Sequence, residues 1–130
     1  MGKINCFEDL EIWQEAVAIA ADIYKITETP KIKNDFGLKD QLRRAAMSIS
    51  DNIAEGFEYD NNKDFIKFLR YSKGSAGELR SKLYVLKILS FIPDDFYSDT
   101  RERLLTLSRK IAGFMKYLKE FERKKGKRSE

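Results

Sequence analysis

The chain has 130 residues, 42% of them hydrophobic and 35% charged, a net charge of +4 and no histidine. This is enough for one domain with a single core and no staples, and no apolar run approaches the ~20 residues of a membrane span. The N-terminus shows no signal-peptide core, MGKINC fits the myristoylation pattern only at Gly2, and a lone Cys6 cannot close an intramolecular disulfide, so a reducing cytoplasm is the expected setting.

Helical periodicity accounts for almost the whole chain. A first helix is expected from about Phe7 to Thr27, with Leu10, Trp13, Val17, Ala20 and Tyr24 on one stripe. Ile12, Ala16, Ile19, Ile23 and Ile26 form a second stripe beside it. Together they make an apolar arc wider than one neighbour in a bundle requires. The surplus stripe, through Ile12, Ile19 and Ile26, is expected to lie against another subunit. TETPKIKND reads as a polar connection, after which Asn34 or Asp35 caps a second helix over about 37–57. Its core stripe is Leu38, Leu42, Ala45, Ala46, Ile49, Ile53 and Phe57. EYDNN reads as a turn with Asp60, Asn61 and Asn62 as alternative caps. A third helix over about 62–91 carries Phe65, Leu69, Ser72, Ala76, Leu79, Leu83 and Leu86 and is ended by Pro93. A fourth begins at Asp94 or Ser98 and follows heptad spacing through Thr100, Leu104, Leu107, Ile111, Phe114, Leu118 and Phe121. The expected fold is all-α, an antiparallel up-down-up-down four-helix bundle over residues 1–122 followed by a basic tail, 123–130.

The second helix has an unusually small face, QLRRAAMSISDNIAEG. If the second and third helices turn back near residues 59–60, Ala45 and Ala46 come level with Gly74, Ser75 and Ala76. A helix-interior glycine costs roughly 1 kcal/mol relative to alanine, so Gly74 and Gly77 are expected to serve close packing against Ala45 and Ala46. Leucine at Ala46 or at Gly77 is then expected to overpack the pair. Asn52 borders the core and should bond a neighbouring helix or a buried water. Arg44 can pair with Asp40, while Lys39 and Arg43 share another face.

The residues of common catalytic sites are missing. Without histidine there is neither the usual general base nor the usual metal ligand, and one cysteine excludes thiolate zinc clusters. KGSAGE lacks the P-loop pattern and its preceding strand. Ser50-Asp51-Asn52 lacks the companion motifs of the serine β-lactamases. Carboxylate pairs such as Glu8 with Asp9 sit at helix starts, where they favour the dipole. No enzyme activity, metal or cofactor is expected.

The segments FEDLEIW, FGLKDQLRRAAMSISDNIAEG and FIKFLRYSKGSAGELRSKL resemble the four-helix-bundle family encoded by intervening sequences in bacterial large-subunit ribosomal RNA genes, often labelled S23 ribosomal protein. The resemblance spans about residues 7–118, with GL-x-x-QLRRAA-x-SI-x-x-NIAEG falling on Gly37 to Gly56 and GS-x-x-EL on Gly74 to Leu79. The accessory variability determinant of diversity-generating retroelements is similar to this family. The resemblance implies a bundle assembled as a homo-oligomeric ring, a pentamer, without catalytic residues. It also implies a role in binding RNA or DNA and, in the retroelement branch, partnership with a reverse transcriptase.

Charge is uneven. The last twelve residues carry six Lys or Arg against three Glu, which leaves only +1 for the rest. Lys39, Arg43 and Arg44 on the second helix, with Lys124, Lys125, Lys127 and Arg128 in the tail, are the expected nucleic-acid contacts. The competing reading is a protein scaffold, for which a near-neutral body speaks, since nucleic-acid binders concentrate positive charge on a folded face.

Overall fold

A computed structural model describes residues 4–129, with the backbone alone at 128 and 129. A 3-10 turn at Phe7–Asp9 leads into α1 (Glu11–Ile26), followed by α2 (Pro30–Lys33), α3 (Phe36–Glu58), α4 (Asn62–Ile88) and α5 (Asp94–Ser129). The four long helices form the expected antiparallel bundle. α3 packs on α4, α4 on α5 and α1 on α3, and α1 meets α5 through the sparsest of these interfaces.

Local chemistry settles the boundaries. Asp35 caps α3 by accepting from the Leu38 amide at 3.1 Å, and Asn61 caps α4 by accepting from Asp64 at 2.8 Å. Asp60 makes the turn between them with φ 58, a left-handed conformation that aspartate tolerates. α5 starts at Asp94 directly after Pro93. The first helix does not run from Phe7 as expected. Leu10 is extended (ψ 124) and buried, so it breaks the helix and plugs the core beside the 3-10 turn. TETPKIKND is likewise more than a polar connection. Pro30 opens α2, whose single turn points Ile32 into the core with no exposure.

Both stripes on α1 contribute to the core, Leu10 and Ala20 from the first and the isoleucines from the second. Ile12, Ile19 and Ile23 lie in this chain's own core and Ile26 packs against it. Ile12 and Ile19 are therefore unavailable to another subunit, and the interface expected on them is corrected. What α1 leaves exposed of its apolar arc is Val17 and Tyr24 alone. On α5, Leu104, Leu107, Ile111 and Leu118 are buried as expected, but Phe121 is 49% exposed. Asn62 at the start of α4 donates to Glu122 at 2.8 Å, so no helix end remains beyond that level to cover Phe121. Residues 123–129, expected as a separate tail, continue α5 without a break.

The small face of α3 does pack closely on α4, but not through the glycines expected. Ala45 and Ala46 are buried on the face that meets α4, where Ser72 and Ala76 are buried too. The Ser72 hydroxyl donates to the Ile49 carbonyl across the interface at 2.7 Å, and Ser48 and Ser75 hydroxyls meet at 2.9 Å. A serine side chain reaches a facing backbone carbonyl only where two helices approach closely. Gly74 and Gly77 are corrected, because a Cβ at either would meet nothing within 4 Å. The glycine that needs its missing side chain is Gly56, where a Cβ would lie 2.7 Å from the Cβ of Phe68. Asn52, expected to reach another helix or a water, donates instead to the Ser48 carbonyl and hydroxyl of its own helix, at 2.7 and 3.0 Å.

One buried polar atom among the described residues is unpartnered, the Thr100 hydroxyl on α5. Leaving such a donor unmade costs about 1–3 kcal/mol. Thr100→Val keeps the shape and removes the hydroxyl, so chemical denaturation should show an unchanged or higher unfolding free energy.

Candidate nucleic-acid interface

Two of the expected contacts turn out to be structural. Lys39 and Arg43, one turn apart on α3, both grip the Glu28 carboxylate, at 2.7 and 2.6 Å. Arg43 also donates to the Thr27 hydroxyl at 3.0 Å, and its guanidinium lies 4.3 Å from the centre of the Tyr24 ring. They tie the end of α1 to α3, with their side chains only 20% and 25% exposed. Their assignment as nucleic-acid contacts is therefore corrected. Arg44 pairs with Asp40 at 2.8 Å as expected, in an exposed i,i+4 pair that adds little stability. Lys124, Lys125 and Lys127 are exposed on the projecting end of α5, and the side chain of Arg128 lies outside the described residues.

The hydrogen bond from Lys39, aided by its charge and that of Arg43, lowers the Glu28 pKa below 4.5. A carboxylate with a depressed folded pKa stabilises fully above its unfolded value and loses that contribution as pH falls through the folded value. Stability should therefore begin to fall below about pH 4.5. Glu11, lowered by its hydrogen bond to Lys110, acts in the same direction. Melting followed into acid should show a shallower fall for Glu28→Gln than for the unaltered chain. Parallel curves would remove the link.

The larger basic surface lies elsewhere. On α4, Lys63, Lys67 and Arg70 recur at i, i+4 and i+7 on one outward face, with Lys73 at its α5 edge. On α5, Lys116 and Lys119 are exposed and in no ion pair, while Arg123 holds Glu120 at 3.0 Å. α4 begins level with Glu122 of α5, so both groups share one end of the bundle. There Lys63, Lys119 and Lys125 line one open concavity with Asn61, Asn62 and Glu122. Aromatic surface borders the same end: Tyr59 is half exposed and stacked on Phe68 at 5.1 Å, and Tyr117 is 62% exposed. Counting charge helix by helix would have found this face. α4 carries seven Lys or Arg against two Asp or Glu, whereas the whole-chain sum hides it.

Groups suited to covalent or metal chemistry are scarce. The Cys6 thiol donates to the Asp9 carboxylate at 3.3 Å, which raises its pKa and disfavours the nucleophilic thiolate. Among the described residues no group of His, Cys, Asp or Glu is placed to hold a metal ion, and no helix is long and apolar enough to cross a membrane.

A sequence model for the family described as 23S rRNA-intervening sequence protein matches residues 8–113, most of the bundle. The chain belongs to that family. Like the motif resemblance, the shape agrees: the chain is similar to a crystal structure of a protein of unknown function from the S23 ribosomal protein family of Bacteroides thetaiotaomicron VPI-5482, with a TM-score of 0.72. The two are 21% identical over 81% of this chain and 98% of that one, so the likeness is one of fold. Comparison with curated proteins gives no match. The match to the 23S rRNA-intervening sequence family takes in the cations of α4 and stops before Lys116 and Lys119 on α5.

Proposed function

We propose that this chain is a non-enzymatic, self-associating bundle, assembled as the five-membered ring its family resemblance implies, that binds the phosphate backbone of structured RNA through the outer face of α4 and the C-terminal half of α5. The observation that carries this reading is the division of charge within the fold. Residues 1–61 hold seven Lys or Arg against twelve Asp or Glu, and residues 62–130 hold eighteen against nine. A net charge of +4 thus conceals a strongly dipolar surface, with α1 on the acidic side and the α4–α5 hairpin on the basic side. Basic side chains without carboxylate partners gain most from displacing the counterions of a polyanion. A ring would present the patch repeatedly to one RNA, multiplying a weak individual contact.

Mobility-shift titration on a structured RNA at two salt concentrations tests it. Each neutralised phosphate contributes about 0.7–0.9 to the slope of log affinity against log salt, so a steep slope with little sequence preference is expected. No shift at low salt would end this reading. It would leave a scaffold that docks another protein, such as a reverse transcriptase, without touching nucleic acid. The exposed Tyr84, Val85 and Ile88 on α4 favour that second reading.

A further inference from the structure

The turn between α3 and α4 carries an aromatic stack that one chain leaves largely in water. Tyr59, which ends α3, lies parallel to Phe68 of α4, with ring centres 5.1 Å apart and planes inclined by 14°. Tyr71, one turn further along α4, braces Phe68 edge-on at 5.7 Å. Phe68 is half-buried, whereas Tyr59 and Tyr71 are 53% and 48% exposed. Neither phenol hydroxyl has a hydrogen-bond partner among the described residues. The stack is fixed from beneath: the root of Phe68 presses on Gly56, where a Cβ would lie 2.7 Å away, and Asn61 donates to the Tyr59 carbonyl at 3.2 Å. Phe68 covers one face of the Tyr59 ring. Among the described residues no ring or cation covers the other.

Charge is sorted around this stack. Lys63, Lys67 and Arg70 stand on the outer side of α4 in no ion pair, and the Lys67 Nζ lies 5.8 Å from the centre of the Phe68 ring. Carboxylates stand on the other side: Glu55 and Glu58 in the last turn of α3 and Asp60 in the turn itself are exposed, while Asp64 is held by the Asn61 amide at 2.8 Å. A continuous duplex shows phosphates along its whole outer surface, and these carboxylates repel them. An unpaired base is neutral. It can pass the carboxylates to reach Tyr59 while its flanking phosphates rest on the cations of α4.

We propose that the open face of the Tyr59 ring receives an unpaired base of the bound RNA. The proposal rests on the phosphate-binding reading above and names the class of RNA that this site takes, stem–loops and bulges rather than continuous duplex. Bases that are already unstacked are the ones aromatic side chains can take up, whereas those inside a duplex stay stacked on one another. The base extends the Phe68–Tyr59 stack by one ring. Because the two rings are already parallel, little side-chain ordering remains to oppose binding. Every base has a π-face, so the site tolerates any sequence, in keeping with contacts made to the phosphate backbone.

Binding of the full chain to a stem–loop carrying 2-aminopurine in its loop, and to a blunt duplex with as many nucleotides, tests it. The unaltered chain should bind the stem–loop about 5–100-fold more tightly than the duplex, and the fluorescence of the loop base should fall as it stacks. Tyr59→Leu should bind the stem–loop no better than the duplex and leave the fluorescence unchanged. Tyr59→Phe keeps the ring and should match the unaltered chain in both respects. Affinity for the duplex should be the same for all three, which a loss of folding would not give. Equal affinity for the two RNAs, or a stem–loop preference that survives in Tyr59→Leu, would overturn the stacking site and leave the phosphate contacts standing. Failure to bind either RNA would overturn the phosphate reading and this proposal with it. Should circular dichroism show Tyr59→Leu unfolded, the unaltered chain still decides: a loop base that keeps its full fluorescence in the complex would reject the site.

Discussion

Gly56→Ala is expected to lower the melting temperature, although alanine is the better helix former. The added methyl would sit 2.7 Å from the Phe68 Cβ, 3.1 Å from the Phe65 ring and 3.4 Å from the Phe65 carbonyl. The Phe68 Cβ is the root of its side chain and moves only with the α4 backbone, so no rotamer change relieves the clash. Overpacking of this kind costs about 1–3 kcal/mol, against about 1 kcal/mol gained in helix propensity. Because the clash involves fixed atoms on two sides, the steric cost should exceed the propensity gain. For a chain of this size each kcal/mol moves the midpoint roughly 3–6 °C. Gly56→Leu should fall further, and Ala46→Leu should fall with it, since Ala46 is fully buried against α4. Gly113→Ala is the counterpart: a Cβ there meets nothing within 4 Å, so only the propensity gain of about 1 kcal/mol remains and the midpoint should rise. A Gly56→Ala midpoint at or above wild type would show that α3 and α4 do not press together as described.

Reversing Lys63, Lys67 and Arg70 together to Glu should abolish the mobility shift on structured RNA, with helicity and melting little changed. The three side chains are on the outer face of α4 and in no ion pair, and Lys67 does no more than lie 5.8 Å from the Phe68 ring. Three cations exchanged for three anions change the face by six charges, which also inverts its steering of a polyanion. Lys39→Glu with Arg43→Glu should behave oppositely. That pair strips both partners from Glu28 and sets three carboxylates together, so the chain should melt lower, and RNA binding should fall only as far as folding does. Should the α4 variant keep its affinity while the α3 variant loses it at temperatures where both are folded, the interface has been placed on the wrong helix.

The candidate site was poorly legible because a charge in a sequence does not reveal its partner. Lys39 and Arg43 stand at i and i+4 and look like an open basic face. They are anchors because Glu28, in a connection whose path no helical period describes, comes back over the start of α3. Lys63, Lys67 and Arg70 have nearly the same spacing and are exposed, with no ion pair among the described residues. Gly74, Gly77 and Gly56 pose the same difficulty in another form. All three are glycines inside helices, and only the azimuth of each helix in the bundle tells which one faces a neighbour.

By itself the sequence determined the four helices, their order and their antiparallel packing. Apolar spacing of three and four residues sets which side of each helix must leave water, and the short Asp- and Asn-capped connections allow only neighbours that reverse direction. It also determined the small face of α3, whose alanines and serines have one plausible use in a bundle. The tertiary structure alone decided which members of the two α1 stripes are core, because both stripes are apolar and both have the right period. α3 and α5 pack on α1 so that Leu10, Ile12, Ile19, Ala20 and Ile23 are buried and, of the two stripes, only Val17 and Tyr24 stay exposed. It alone decided that Phe121 stays in water, since the heptad pattern reaches the level where α4 only begins and too little of a neighbour remains to cover it. Periodicity is a property of one helix, whereas burial depends on where its neighbours begin and end.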